Sequence, residues 1–253
     1  MAIPELVIGQ GPVKVIALNG WFGSAGGGWG GYPDLVDGSK YSVAFFDYRG
    51  YGARRDVDGQ HTAEEVSADV LELADQLGWD TFALVGHSMG GVFIQRVYAD
   101  ASERVTAMIG IAPVHSTPFP WDDDSWALFD GAAQEDGNRF GIIDFTTGNR
   151  NTATWVNKMV AASVENSTRE AFGAILTAWG KADFASEVPQ TDQVPVTLLV
   201  GAHDPALSAD FVHGTWLKTY PGATVEVIEN AGHYPMFEAP VNFTTLLEKA
   251  LDG

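Results

Sequence analysis

Short, almost wholly apolar runs recur along this chain, and polar residues do not alternate with apolar ones inside them. Strands that are buried on both faces have this pattern, whereas a sheet with one face in water shows alternation. The runs therefore predict a parallel sheet that is covered by helices on both sides. They span Val13–Leu18, Val43–Phe46, Phe82–Val85, Val105–Ala112, Val196–Val200 and Val225–Ile228.

Segments with helical spacing of apolar residues separate these runs. Within Thr62–Leu77 the apolar residues fall on one helix face, and Thr62 with Glu65 has the form of an N-terminal capping box. Val92–Ala99 and Phe237–Leu251 also have the spacing of helices. The alternation of strand and helix predicts an α/β fold, with a mostly parallel sheet flanked by helices, in a single domain over residues 1–253.

The alternation is interrupted between His115 and Ser186, where no strand-like run occurs. Thr154–Val164 and Thr168–Trp179 instead have apolar residues at helical spacing, so we predict a helical insertion over residues 115–186. Two interpretations of its aromatic residues are open: they pack the insertion onto the sheet, or some of them line a pocket between the two. Four of the eight tryptophans lie in the insertion, namely Trp121, Trp126, Trp155 and Trp179.

Charge and cysteine content narrow the range of partners. The 253 residues include 14 basic and 33 acidic side chains, a formal net charge of −19, which repels nucleic acid and anionic membranes. The absence of cysteine excludes disulfides, thiolate metal sites and a cysteine nucleophile. The first residues lack a basic start before a long apolar stretch, and no run of eighteen apolar residues occurs, so we expect a soluble cytoplasmic protein.

A G-x-S-x-G motif, Gly86-His87-Ser88-Met89-Gly90, lies between an apolar run and a predicted helix. At such a junction the serine occupies a sharp, strained turn, and the flanking glycines remove side chains that would collide across it. The turn exposes the hydroxyl of Ser88, which makes it a candidate nucleophile. It also places the backbone N–H of Met89 at a helix N-terminus, where developing negative charge is stabilised.

A serine nucleophile needs a base and a carboxylate that orients the base. His233 follows the last apolar run and Asp204 follows the one before it, so both are predicted at the sheet edge that carries Ser88. The chain order Ser88, Asp204, His233 is the order expected for a nucleophile on this type of turn. Asp47 also ends a predicted strand, but it precedes the nucleophile, and we interpret it as a residue that braces its turn.

A second donor to an oxyanion is expected from the loop after the first long strand. This glycine-rich loop, Asn19–Trp29, lets the backbone approach a substrate oxygen closely. We assign the backbone N–H of Trp21 to this role, with that of Phe22 as the alternative. The loop has neither the spacing G-x-G-x-x-G nor a lysine, which argues against a nucleotide site.

Five short motifs, spread over nearly the whole chain, are similar to those of a known family: Asn19-Gly20-Trp21, Asp47-Tyr48-Arg49-Gly50-Tyr51-Gly52, Gly86-His87-Ser88-Met89-Gly90-Gly91, Gly201-Ala202-His203-Asp204 and Gly232-His233. With them the chain resembles an α/β-hydrolase-fold serine hydrolase of the esterase, lactonase and C–C hydrolase type. Members usually have His-Gly in place of Asn19-Gly20; asparagine can still hydrogen-bond to the loop, so we expect the oxyanion hole to be retained. The resemblance also implies that the insertion is a lid over the pocket.

The residues and the resemblance both imply acyl transfer. We expect a serine hydrolase that cleaves a carboxylic ester or lactone through an acyl-enzyme, without a metal or an organic cofactor. Aromatic residues favour a mainly apolar or aromatic small molecule as substrate, and the candidates for contact with it are Phe22, Trp121, Trp126, Trp155 and Trp179. Two alternatives are open: hydrolysis of a carbon–carbon bond in a diketone, and a small-molecule receptor that retains the three catalytic groups.

Overall fold

The computed structural model describes residues 2–4, 6–189 and 194–253. Its strands are Leu6–Ile8 (β1), Val13–Leu18 (β2), Tyr41–Phe46 (β3), Phe82–His87 (β4), Val105–Ile111 (β5), Val196–Gly201 (β6) and Thr224–Ile228 (β7). They form one sheet in the order β1-β3-β2-β4-β5-β6-β7. β1 pairs antiparallel with β3, and the other neighbouring strands pair in parallel.

Helices cover this sheet. They are Tyr32–Leu35 (α1), Ala63–Gln76 (α2), Gly90–Asp100 (α3), Asp123–Gly131 (α4), Asp136–Thr146 (α5), Ala153–Asn166 (α6), Arg169–Gly180 (α7), Ala209–Gly214 (α8), Trp216–Thr219 (α9), Pro235–Glu238 (α10) and Pro240–Asp252 (α11). Helices α2 and α3 pack on each other and α3 packs on β4, whereas α1 and α11 form a second group that reaches β5, β6 and β7. Every residue of β3 and β4 is buried, which requires cover on both faces of the sheet. The prediction of a mostly parallel sheet flanked by helices is confirmed.

Local chemistry explains where the predicted elements differ from the observed ones. The helix predicted over Phe237–Leu251 is two helices, because Pro240 disfavours helical geometry at the residue before it, and Ala239 is non-helical with φ −143° and ψ 57°. β1 was not predicted, since its three residues are partly exposed at the edge of the sheet and give no buried run.

The strand order brings several loops to one edge of the sheet. From β2 the chain proceeds to β3 on one side of it and then crosses to β4 on the other side. The loops that follow β2 and β4 therefore leave the sheet beside each other, at the position where ligands bind in open α/β sheets. The loops after β6 and β7 leave at the same edge.

The predicted insertion consists of helices. Helices α4, α5, α6 and α7 all fall within residues 115–186, between β5 and β6, and this segment contributes no strand to the sheet in the described part of the chain. Among the described residues, no helix has the length and apolar character needed to cross a membrane.

Candidate active site

Ser88 lies in a strained turn between β4 and α3. Its backbone φ is +54°, in the left-handed region that residues with a side chain seldom adopt. The backbone N–H of Ser88 donates to the carbonyl oxygen of Ile111 at 2.9 Å, and the Ser88 carbonyl accepts from the N–H groups of Gly91 and Val114. These bonds to β5 and to the loop after it hold the turn in its strained conformation.

Close approaches of the backbone explain the glycines around this serine. A Cβ atom on Gly86 would lie 2.5 Å from the carbonyl oxygen of Gly90, and one on Gly90 would lie 2.5 Å from that of Leu18. A Cβ atom on Gly20 would lie 2.6 Å from Nδ1 of His87. Larger residues at these positions would separate the Ser88 turn from β2 and from the glycine-rich loop.

The structure brings Asp204 and His233 into direct contact. The Nδ1–H of His233 donates to Oδ2 of Asp204 at 2.6 Å, and Oδ1 of Asp204 accepts the backbone N–H groups of Ala206 and Leu207 at 2.9 and 3.0 Å. Both side chains are buried. Since Nδ1 faces the carboxylate, Nε2 is the ring nitrogen available to Ser88, which lines the same cavity as His233. The serine hydroxyl is not hydrogen-bonded to the imidazole, as is common in unliganded sites.

His87, the neighbour of the serine, supports the loop that carries His233. Its Nε2–H donates to the backbone carbonyl oxygen of His233 at 2.9 Å, and the two imidazole rings lie 5.0 Å apart. Burial, and to a lesser extent the nearby His233, lower the pKa of His87 to about 3. His87 therefore stays neutral and keeps the proton that this hydrogen bond uses.

Buried neutral histidines make the stability of this fold sensitive to acid. Burial lowers the pKa of His87 to about 3 and that of His115 to about 4, whereas a histidine in the unfolded chain titrates near 6.5. Below pH 6.5 the unfolded chain therefore binds protons that the folded chain does not, and the free energy of unfolding decreases as the pH is lowered. Lowering the pH from 7.5 to 5 is expected to reduce the free energy of unfolding by about 2 kcal/mol less in His87→Gln than in the wild type, as measured by urea unfolding. Exposed His213→Gln is the control, and an unchanged pH dependence in His87→Gln would contradict the prediction.

The glycine-rich loop and the start of α3 offer backbone donors beside the serine. Within the described residues, the backbone N–H groups of Trp21, Phe22 and Met89 have no acceptor in the protein. Asn19, which stands where the family usually has histidine, is buried, and its Nδ2–H donates to the carbonyl oxygen of Gly20 at 3.1 Å. The asparagine thus hydrogen-bonds to the loop as expected, and the assignment of Trp21 over Phe22 stays a prediction.

The cavity at Ser88 is small and has mainly aromatic and aliphatic walls. Its free volume is about 40 Å³. Three of the predicted substrate contacts, Phe22, Trp121 and Trp179, lie on its wall. The lining residues are Trp21, Phe22, Ser88, Val114, Phe119, Trp121, Phe129, Ile142, Thr146, Trp179, Ala206, Leu207, His233 and Tyr234.

The remaining two predicted substrate contacts, Trp126 and Trp155, do not line this cavity, and their contact with a substrate stays a prediction. The ring of Trp126 lies 5.5 Å from that of Trp121, and Nζ of Lys181 lies 4.0 Å from the centre of the Trp126 ring. Trp155 packs against Tyr234 and Phe237 at the base of α10. Trp126 thus packs within the insertion, whereas Trp155 packs the insertion against Tyr234 and Phe237.

Asp47 braces the loops around the site, and among the described residues its carboxylate forms no hydrogen bond with the Ser88 turn. Its Oδ1 accepts the backbone N–H of Ala25 in the glycine-rich loop at 2.7 Å, and its Oδ2 accepts that of Ala53 at 2.9 Å.

The sequence did not identify His87 or Thr146 as part of the site. The backbone N–H of His233 donates to the carbonyl oxygen of Thr146 at 3.1 Å, a contact that no local pattern indicates.

Comparison with known proteins agrees with this architecture. The model of the alpha/beta hydrolase family matches residues 15–245. The chain is 24% identical to 3-oxoadipate enol-lactonase 2 of Acinetobacter baylyi over 84% of this chain and 79% of that protein. It is also 24% identical to the dihydrolipoyllysine-residue acetyltransferase component of the acetoin cleaving system of Cupriavidus necator, over 97% of this chain but only 65% of that longer protein.

Among solved structures, an esterase from Exiguobacterium antarcticum superposes with a TM-score of 0.85 at 20% identity, covering 99% of this chain and 96% of that one. Likeness at this level of identity concerns the fold. The family match extends over most of the chain, from β2 to the last helix, and includes every element that positions Ser88, Asp204 and His233. The chain belongs to the alpha/beta hydrolase family.

Proposed function

We propose that this protein is a serine hydrolase that cleaves a carboxylic ester or lactone of a small, mainly apolar or aromatic molecule. The observation that carries the proposal is the hydrogen-bonded pair of Asp204 and His233, which lies in one cavity with a serine held at a positive φ. A base oriented by a carboxylate is what a serine hydroxyl needs to become a nucleophile. The relatives named as an enol-lactonase and an esterase support the choice of bond.

In the proposed acylation step, Nε2 of His233 takes the proton of the Ser88 hydroxyl while the Ser88 oxygen attacks the substrate carbonyl. The backbone N–H groups of Trp21 and Met89 hold the oxyanion, and Asp204 stabilises the imidazolium that forms. The tetrahedral intermediate then expels the alcohol, which receives the proton from His233. In deacylation, water activated by the same imidazole attacks the acyl-enzyme and releases the acid.

A fluorophosphonate probe tests this proposal directly, because it forms a phosphonyl bond only with an activated serine, with loss of fluoride. We expect mass spectrometry to locate the adduct on Ser88 and to find none in Ser88→Ala or His233→Ala. The control is Ser125→Ala, since Ser125 lies in α4 and outside the cavity wall. Folded wild-type protein that forms no adduct would refute the proposal. A single slow turnover with a large rise in melting temperature on ligand addition would favour a receptor instead.

The size of the cavity predicts which esters are turned over fastest. With a free volume of about 40 Å³ and an apolar wall, the space next to Ser88 is expected to accept a short acyl chain more readily than a long one. We therefore expect p-nitrophenyl acetate to have a kcat/KM about tenfold or more above that of p-nitrophenyl octanoate. Ile142→Ala shortens a side chain of the wall and so enlarges the cavity. We expect this variant to have a smaller ratio of kcat/KM for the acetate to kcat/KM for the octanoate.

Leu128→Ala, at an exposed position of α4, is the matched control for this comparison. An octanoate preference in the wild type would contradict the prediction. Running a lactone and a ring-cleavage diketone beside the esters decides among the three bond types, and turnover of the diketone alone would favour carbon–carbon hydrolysis.

A further inference from the structure

A column of stacked groups connects the helical insertion with the glycine-rich loop. The indole ring of Trp21 lies 4.0 Å from the ring of Phe172 in α7, with 15° between the planes. Its N–H donates to the carbonyl oxygen of Phe172 at 2.7 Å. The ring of Phe129 in α4 is parallel to the indole within 4°, at a distance of 5.8 Å. Two helices of the insertion therefore hold Trp21.

The column ends in a buried cation. Cζ of Arg139 in α5 lies 3.7 Å from the centre of the Phe172 ring. One face of that ring is covered by the indole of Trp21, so the guanidinium lies on the opposite face. The order along the column is Arg139, Phe172, Trp21, Phe129. A cation over an aromatic face is attracted by the negative charge of that face, and burial strengthens the attraction.

Arg139 is itself rigidly held. It is fully buried, its Nε–H donates to the carbonyl oxygen of Ala132, and its Nη1–H donates to Oγ of Ser163, both at 2.9 Å. Among the described residues, its Nη2 has no hydrogen-bond partner, and no carboxylate forms an ion pair with Arg139. A buried cation without a counterion lowers stability relative to an apolar side chain of similar size. Stability of the core alone therefore does not explain an arginine here.

We propose that Arg139 is a positioning residue for the oxyanion hole. Its guanidinium packs on the ring of Phe172, Phe172 holds Trp21 by stacking and by a hydrogen bond, and the backbone N–H of Trp21 has no acceptor among the described residues. The proposal rests on the proposed function, in which that N–H binds the oxyanion. A donor of this kind acts only when it is held at the right distance, so small displacements of the loop reduce transition-state binding.

The helix that carries Arg139 also holds the loop of the base. At the other end of α5, the carbonyl oxygen of Thr146 accepts the backbone N–H of His233 at 3.1 Å. Seven residues, about 10 Å of helix, separate the two contacts. One rigid element thus aligns the loop of the oxyanion donor with the loop of the base, and the insertion is part of the catalytic framework.

The test compares Arg139→Met with the wild type on p-nitrophenyl acetate, with rates expressed per active site titrated by fluorophosphonate. We expect kcat to fall roughly 10- to 100-fold while KM changes less than about twofold, because an oxyanion donor acts in the transition state. The affinity for phenylboronic acid, which forms a tetrahedral anionic adduct with a reactive serine, is expected to fall by a similar factor. The melting temperature is expected to stay the same or rise.

A purely structural role predicts a different result, namely fewer titratable sites with unchanged kcat at each site and unchanged boronate affinity. Either of these would overturn the proposal. Arg169→Met, which removes a half-exposed arginine of the same insertion, is the matched control. If Arg139→Met does not fold, Arg139→Lys takes its place in the test, because lysine keeps the positive charge but lacks the planar guanidinium. A kcat of Arg139→Lys within twofold of the wild type would overturn the proposal. A wild type that neither turns over esters nor labels at Ser88 would instead refute the proposed function.

Discussion

Replacement of His233 by alanine is expected to lower kcat by roughly 10⁶-fold, the loss measured when the base of another serine hydrolase is removed. In the proposed mechanism Nε2 of His233 both takes the proton of Ser88 and returns it to the leaving alcohol. Without the imidazole the hydroxyl remains a weak nucleophile. The remaining acceleration would come from substrate binding and the oxyanion donors. The measurement is kcat on p-nitrophenyl acetate over a background without enzyme.

His213→Ala is the control for this variant, because His213 is exposed on α8 and its Nδ1 is hydrogen-bonded to the carbonyl oxygen of Ala209 in the same helix. It should keep the activity of the wild type. Added imidazole is expected to restore part of the lost rate in His233→Ala, since the deletion leaves a space beside Asp204. Activity of His233→Ala within about tenfold of the wild type would show that another group is the base.

Much of the sheet could be predicted because its central strands are buried on both faces. All six apolar runs are strands, and Val13–Leu18 has the observed bounds. Prediction failed at the edge strand β1, which is short and partly exposed, and where one residue changes the local geometry, at Pro240. Apolar patterning reports burial, and it carries little information on edges and helix breaks.

The three candidate catalytic residues could be placed together for a similar reason. The carboxyl ends of parallel strands meet at one edge, so residues that follow β4, β6 and β7 approach each other whatever their separation along the chain. Asp204 and His233 are 29 residues apart and share a hydrogen bond of 2.6 Å. The placement of Ser88 beside them follows from the same rule.

The arrangement of the insertion could not be predicted in this way. Helical spacing shows which side of a helix is apolar but does not show which neighbour that side meets. Spacing therefore could not show that Trp121 and Trp179 line the cavity whereas Trp126 and Trp155 do not. The contact of Arg139 with Phe172 joins α5 to α7, and no sequence pattern signals a buried arginine that has no acidic partner among the described residues.

Asp204→Asn is expected to lower kcat by about 10⁴-fold while the fold is kept. In the wild type Oδ1 of Asp204 accepts two backbone N–H groups, and Oδ2 accepts the Nδ1–H of His233. Asparagine can keep the two backbone bonds with its carbonyl oxygen, which places its NH₂ group against Nδ1. Since two donors cannot bond, the imidazole moves its proton to Nε2 and can no longer accept the proton of Ser88. The measurements are kcat and the melting temperature.

Aspartate and asparagine have side chains of the same size. A loss of activity in Asp204→Asn would therefore reflect the lost orientation of the base and not a change in packing. Asp210→Asn, in the first turn of α8, is the matched control and should retain full activity. Asp204→Ala is expected to lose stability as well, since the backbone N–H groups of Ala206 and Leu207 would then be left without their acceptor. An Asp204→Asn enzyme with nearly unchanged kcat would mean that the imidazole is oriented by another acid, and the assignment of Asp204 would be withdrawn.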